Sequence, residues 1–318
     1  GDHMRIYKNI SSLQMTEPTV CGLGNFDGVH LGHQKLIKQL VDISRDRDLK
    51  PTIFTFEPHP ANILCPDKSN LIITPVEKKQ NIMKSLGVEN LIMAPFTPDF
   101  ARIEYDDFIS EILVKRCRAK AVVVGFDYRF GYKGRGNAQI LKQVSRDYGI
   151  DTHIVEPVTY SGKIVSSTLI RSLIKKGDVK SASEFLGYPF GISGNVILGN
   201  RVGRKLGFPT ANVNFPSNIV LPANGVYAVF VSLSGKLLKG AANIGFKPTF
   251  GGNNIVLEVH LFDFCKQIYG ERLEVFFIEN LRKEIKFKSP KELIAQVNID
   301  FNKANEILNK YQKDILCI

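Results

Sequence analysis

The chain has 318 residues, 44% of them apolar and 23% charged, the balance of a water-soluble globular protein with length for two domains. Its formal net charge of +11 fits nucleic acid, an anionic membrane surface or small anionic substrates, but the densest basic stretch, LRKEIKFK at 281–288, is short and interrupted by Glu284. No apolar run reaches membrane-spanning length, and five scattered cysteines without a C-x-x-C spacing exclude a disulfide frame or a zinc cluster, so a cytoplasmic protein with reduced thiols is expected.

Gly1-Asp2-His3 before Met4 reads as the remnant of a cleaved tag, and no signal peptide follows it. From residue 19 to about 155, apolar runs alternate with helical patterns. TVCGLG (19–24), PTIFTF (51–56), NLIMA (90–94), AVVVGF (121–126) and DTHIVE (151–156) are predicted strands. Between them, Leu36, Ile37, Leu40, Val41 and Ser44 form one face of a helix over 34–45. PVEKKQNIMKSLG opens with Pro75 and closes with Gly87, the punctuation of another helix. Such alternation predicts a parallel sheet covered on both faces, with ligands bound where the strands end.

The rhythm changes near Gly187. Short alternating runs follow: GNVIL, TANVNF, GVYAVFVSL, LLKGAANIG, IVLEVHLFDF and RLEVFFIEN, separated by Gly, Pro and Asn turns. Their spacing predicts an antiparallel barrel or sandwich. A last helix starts near Ser289-Pro290, with Leu293, Val297, Phe301, Ala304 and Leu308 on one face. The expected boundary leaves residues 4–186 in the first domain and 187–318 in the second.

Several stretches carry chemistry. GLGNFDGVHLGHQ fails the dinucleotide fingerprint by one residue, since Gly24 and Gly28 are separated by three residues where that motif has two. His30 and His33 in it read as two capping or core histidines. Alternatively, with glycine amides at a positive helix end, they make a receptacle for a phosphate chain. Zinc would need further ligands, and His59, His153 and His260 are isolated in sequence. VSSTLIR puts Ser166, Ser167 and Thr168 at a helix N-terminus with Arg171 one turn on, either a plain cap or a second anion site. GFDYRFGYKGRGN (125–137) suits a loop over a planar ring as well as a decorated surface loop. Thr210 and Asn212, two apart in GRKLGFPTANV, share one face of a strand and offer neutral oxygens to Mg2+ or to a turn. Glu258 shares a face with His260.

GNFDGVHLGHQ, TFEPHP, VSSTLIR, GRKLGFPTAN, PANGVYAV, NIGFKPTF, LEVHLFDF and IYGERLEVFFIENLRKEIKF stand in that order along the chain. Together they resemble the bacterial bifunctional riboflavin kinase/FAD synthetase family from about Thr19 to the last helix. GFDYRFG departs from the GEDF that other members carry. The resemblance implies a Rossmann-like N-terminal FMN adenylyltransferase and a C-terminal riboflavin kinase on a Greek-key barrel with a terminal helix. Riboflavin, FMN and ATP would be the substrates and Mg2+ the cofactor, with neither nucleic acid nor membrane as a partner; the oligomeric state stays open.

By the same resemblance, Gly24, Asn25, Phe26, Asp27 and Gly32 cradle ATP in the transferase, His30 and His33 are catalytic and position the transfer, and Ser167, Thr168 and Arg171 bind ATP and stabilise the departing phosphates. Phe56, Asp127 and Phe130 lie near the flavin. In the kinase, Gly203, Arg204, Lys205 and Gly207 cover the nucleotide, Thr210 and Asn212 hold magnesium, Arg282 lies near the flavin and Glu258 is the base. A phosphate nucleophile with a second pKa of about 6 needs no base, whereas an alcohol does. Other classes remain open: an enzyme with a single activity, a nucleic-acid-binding regulator, which shows steep salt dependence, or a flavin sensor that turns over no ATP.

Overall fold

The computed structural model describes residues 3–64, 71–198, 207–249 and 252–311. By compactness the chain divides into two units, Gly1–Ser167 and Thr168–Ile318.

The first unit is built on six parallel strands: β1 (Arg5–Tyr7), β2 (Thr19–Leu23), β3 (Lys50–Phe56), β4 (Asn90–Ala94), β5 (Ala119–Gly125) and β6 (Asp151–Val155). They lie in the order β1-β4-β3-β2-β5-β6. The sheet is Rossmann-like, and its strand order reverses at β2, which has β3 on one side and β5 on the other. Every residue of β2 is buried, as a central strand covered on both faces requires. All five strands expected from the apolar runs are present. The edge strand β1 and the helical segment Phe108–Arg116 are additions that the sequence pattern did not announce.

Helix α1 (Leu31–Asp46) buries Leu36, Ile37, Leu40, Val41 and Ser44, the face read from periodicity. Each of its large aliphatic side chains contributes about 1.5–3 kcal/mol by leaving water. Gly22 lets this helix lie against β2, because a Cβ there would come within 2.7 Å of Ile53 Cδ1 and 2.8 Å of Leu40 Cδ1. Helix α2 (Val76–Ser85) starts directly after Pro75, and Gly87 follows it with φ +95°. Helix α3 (Ala138–Arg146) is capped by the Asn137 side chain, which accepts from the amides of Gln139 and Ile140.

Helix α4 (Ser167–Lys175) starts on the last residue of the first unit, its remainder belongs to the second, and α5 (Val179–Leu186) follows it there. Strands β7 (Gly191–Ile197), β8 (Ala211–Asn214), β9 (Gly225–Leu233), β10 (Lys236–Thr249), β11 (Gly252–Leu261) and β12 (Arg272–Lys283) follow. They form a closed antiparallel barrel in the order β7-β8-β11-β10-β9-β12, with β7 returning to β12. The compact division falls at Ser167/Thr168 because α5 packs on β12, while the change of sequence rhythm comes at Gly187, where the strands begin.

Helix α6 (Pro290–Asn309) covers one outer face of the barrel, with Phe301, Ala304 and Leu308 against Val226, Ala228, Phe230, Ala241 and Phe276. Its start is capped twice: Ser289 Oγ accepts from the Glu292 amide at 3.3 Å, and Glu292 Oε2 accepts from the amide of Lys288, just before the cap, at 3.0 Å. Midway along it, Asp300 meets Arg282 as a fork, Nε to Oδ1 at 3.0 Å and Nη2 to Oδ2 at 2.8 Å, with Nε also 2.9 Å from Oδ2. Both side chains are largely buried, at 6% and 17% exposure. Asp300→Ala strands a guanidinium without its carboxylate. It is expected to cost about 3–5 kcal/mol, the usual penalty for breaking a buried pair, measured as a loss of unfolding free energy in urea.

Candidate functional site

The segment after β2 is anchored at several points. Gly24 N–H donates to Phe54 O at 3.3 Å, and Asn25 O accepts from Thr55 Oγ1 at 3.1 Å and Lys79 Nζ at 3.4 Å. Asp27, only 4% exposed, accepts at Oδ1 from the amides of Ile73 (2.9 Å) and Thr74 (3.4 Å). Its carbonyl accepts from Ser167 Oγ at 2.8 Å. These bonds hold a backbone in which Phe26 (φ 51°), Gly28 (φ 88°) and Val29 (φ 38°) are left-handed. Two of the three are not glycine, so the conformation is strained and persists only because its surroundings fix it. Phe26 and Val29 are fully buried.

The loop delivers His30 to the N-cap of α1, where its Nδ1 accepts from the His33 amide at 3.3 Å. The capping alternative is thus realised for His30. The two imidazoles also stack, centroids 3.7 Å apart and planes 15° from parallel, with the Phe26 ring 5.1 Å from His33. Gly32 makes room for this: a Cβ there would come within 3.1 Å of the His30 ring. His33 Nδ1 is shut from solvent and has no hydrogen-bond partner among the described residues. Burial, then the charges of His30 and Lys79, hold the His33 pKa well below the usual 6.5. A stacked histidine pair at a helix start with no acidic residue in its first turn is suited to an anion, because the helix dipole favours negative charge there.

Phe56 ends β3 and packs edge-on with Phe54, Phe96 and Phe100 at 5.1–5.5 Å. Phe130 is buried, stacked on Tyr128 at 5.6 Å and tilted against Phe108 at 5.5 Å. Burial pushes the Tyr128 phenol pKa up. Asp127 and Phe126 stand exposed beside them. The 125–137 stretch is therefore surface loop on one side and aromatic wall on the other.

In the second unit, Asn212 of β8 lies directly across from Glu258 of β11, which in turn faces Asn243 of β10. Their neighbours Val213, Leu257 and Val259 are buried, so strand alternation sends Asn212, Glu258 and Asn243 to the other face. His260, two residues beyond Glu258, bonds through Nδ1 to Pro209 O at 2.8 Å, which requires the proton on that nitrogen. Its ring lies flat on Phe301 of α6, 4.3 Å away and 4° from parallel. Burial lowers the His260 pKa, opposed by the Pro209 bond. This latch fixes the turn carrying Thr210. Gly207 lies in the same turn and is exposed, whereas Gly203, Arg204 and Lys205 lie outside the described residues. Thr168 and Arg171 sit on the first turns of α4, directly after Ser167. Arg282 is occupied by Asp300.

Two family models divide the chain, FAD synthetase over residues 12–169 and riboflavin kinase over 186–308. The bifunctional riboflavin kinase/FMN adenylyltransferase of Escherichia coli strain K12 is 37% identical over 306 residues, spanning 95% of this chain and 97% of its own. The enzyme of the same description from Bacillus subtilis strain 168 is 37% identical over 93% of this chain and 94% of its own. The chain belongs to this family. A crystal structure described as a macrolide-efflux protein from Streptococcus pneumoniae has the same fold, with TM-score 0.88 and 33% identity over 97% of this chain and 99% of that one. Among the described residues here, no helix is long and apolar enough to cross a membrane.

Within the family frame, sequence reading missed Lys79, Asn243 and Asp300 and passed over the latch at His260. Lys79 did leave a signal: Val76, Lys79 and Met83 fall on one helical row, so a lysine occupies a core-facing place. Asn243 follows from register alone and left none.

The lowered His33 pKa has a consequence for stability. In the unfolded chain this imidazole takes up a proton near pH 6.5, while in the folded chain it stays neutral to lower pH. The unfolded state then binds more protons below that point, and stability falls on acidification. His33→Gln should therefore lose less stability than the wild type between about pH 7.5 and about pH 5.5, compared by urea denaturation at the two pH values.

Proposed function

We propose that this chain makes flavin cofactors in two ATP-dependent steps: phosphorylation of riboflavin to FMN with release of ADP, then transfer of the adenylyl group of ATP to FMN, giving FAD and pyrophosphate. The observation that carries the reading is the coexistence, in one chain matched by both family models, of a stacked-histidine cradle at a sheet's switch point and an Asn212–Glu258 pair on a closed barrel. Residues 4–186 are assigned to the transferase and 187–318 to the kinase. Riboflavin, FMN and ATP are its partners, and the cytoplasm is where it works.

In adenylyl transfer the attacking group is the FMN phosphate, already ionised near neutral pH. Catalysis then rests on positioning and on stabilising charge at the α-phosphate and the departing pyrophosphate. His30 and His33 serve the first task at the start of α1, with Gly24, Asn25, Phe26, Asp27 and Gly32 shaping the loop that presents them. Ser167, Thr168 and Arg171 serve the second. The aromatic wall at Phe56 and Phe130, with Asp127 at its rim, suits the isoalloxazine ring.

The kinase nucleophile is a ribityl hydroxyl, neutral at pH 7, and Glu258 is the carboxylate that takes its proton as the γ-phosphate is attacked. Gly203, Arg204, Lys205 and Gly207 form the loop over the nucleotide. Thr210 and Asn212 fit Mg2+, because two neutral oxygens suit a hard cation that keeps phosphate and water as its other ligands. Bound there, the ion would neutralise phosphate charge. Arg282, braced by Asp300, carries the end of β12 towards the flavin.

Two substitutions separate the activities. His33→Ala should remove most FAD formation from FMN and ATP while FMN formation from riboflavin continues, measured by chromatographic separation of the flavins. A parallel fall in both activities would contradict the division of labour. Glu258→Gln should lower riboflavin phosphorylation about a hundredfold or more, the usual contribution of a general base, with adenylylation of supplied FMN at the wild-type rate. An FMN production rate within a few-fold of wild type would remove Glu258 from that role.

A further inference from the structure

Lys79 lies on α2 with only 7% of its surface exposed, on the same helix face as the buried Ile82 and Met83. An ammonium there loses its hydration, and burial lowers its pKa against the opposing pull of Asp27 and Glu57. An aliphatic residue would fill the same place without that cost. The Nζ donates to Asn25 O at 3.4 Å, within the strained loop that ends at His30. The same loop is held by the Asp27 carboxylate, which accepts the amides of Ile73 and Thr74 just before α2. One short segment, 73–79, therefore grips the loop at two points, once through main-chain amides donated to the Asp27 carboxylate and once through the Lys79 ammonium donated to the Asn25 carbonyl. The cation is close enough to His33 for its charge to be felt there.

We propose that Lys79 is a positioning residue for adenylyl transfer, holding the 24–29 loop through the Asn25 carbonyl and supplying a fixed positive charge beneath the phosphate cradle. This rests on the assignment of the first unit as the transferase. The charge acts in two directions. Towards an incoming triphosphate it is attractive and only weakly screened, because it is out of water. Towards His33 it is repulsive, and with His30 and burial it keeps the imidazole neutral, so that an N–H is presented without a competing proton equilibrium near pH 7. The charged and titratable groups around this point are His30 and His33 on the loop and α1, Asp27 on the loop, and Glu57 just past β3.

The test uses the full chain carrying Lys79→Met, which keeps the length and apolar stem but removes both donor and charge. FAD formation from FMN should fall at least tenfold, in kcat more than in KM for ATP, while riboflavin phosphorylation stays at the wild-type rate. NMR titration of the His33 ring should show its pKa rising towards the ordinary value. A lysine that served packing alone, with no charge reaching His33, would leave that titration unmoved in a folded protein. Should Lys79→Met fail to fold, Lys79→Gln, which keeps a donor without the charge, carries the same two readouts. FAD turnover within threefold of wild type, or an unmoved His33 titration in a folded variant, would overturn the proposal. If the wild-type chain forms no FAD, the transferase assignment fails by itself, and the His33 titration still decides whether Lys79 supplies the charge.

Discussion

The carboxylate of Asp27, buried and accepting two main-chain amides, is the constraint on which the first site depends. The loop from Gly24 to His30 has to leave a fully buried strand, turn through left-handed backbone at two non-glycine residues and deliver an imidazole to a helix cap. Free in solution that path is unfavourable. Anchoring it from Ile73 and Thr74 on one side and from Ser167 on the other turns a strained segment into a fixed one. Stacking of His30 and His33 follows from that fixation, as does enclosure of His33 Nδ1.

The second unit solves a different problem by a different constraint, closure. A closed barrel has no free edge, so its register admits no slip. That register places Asn212, Glu258 and Asn243 in one row across three strands. The two proposed reactions make opposite demands, and the units answer them accordingly. An ionised phosphate nucleophile calls for positive and neutral donors without a base, and the loop supplies imidazoles and a helix start while α2 supplies a buried ammonium beside it. An alcohol calls for a carboxylate, and the barrel presents one between two amide side chains.

Much of this was legible in the chain itself. The strands β2 to β6 of the first sheet, the buried face of α1 and the Ser289 start of α6 rest on local periodicity and capping, which short-range sterics and apolar burial dictate. The short edge strand β1 was not legible, since three mostly exposed residues carry no apolar pattern. The grip of Asp27 on amides 46 and 47 residues away was not legible either, nor the pairing of Arg282 with Asp300 across 18 residues.

The motifs from GNFDGVHLGHQ to LEVHLFDF determined the family and the residue types available for chemistry. Tertiary structure decided which of them meet and in what electrical surroundings. His30 became a cap because the loop was bent to reach α1, and the His33 pKa fell because burial, then the charges of His30 and Lys79, disfavour its protonated form. Glu258 gained amide neighbours because two other strands were brought into register with its own. The division has one physical reason: periodicity and turn chemistry act over a few residues, whereas desolvation and charge depend on neighbours that only the folded chain brings within a few ångströms.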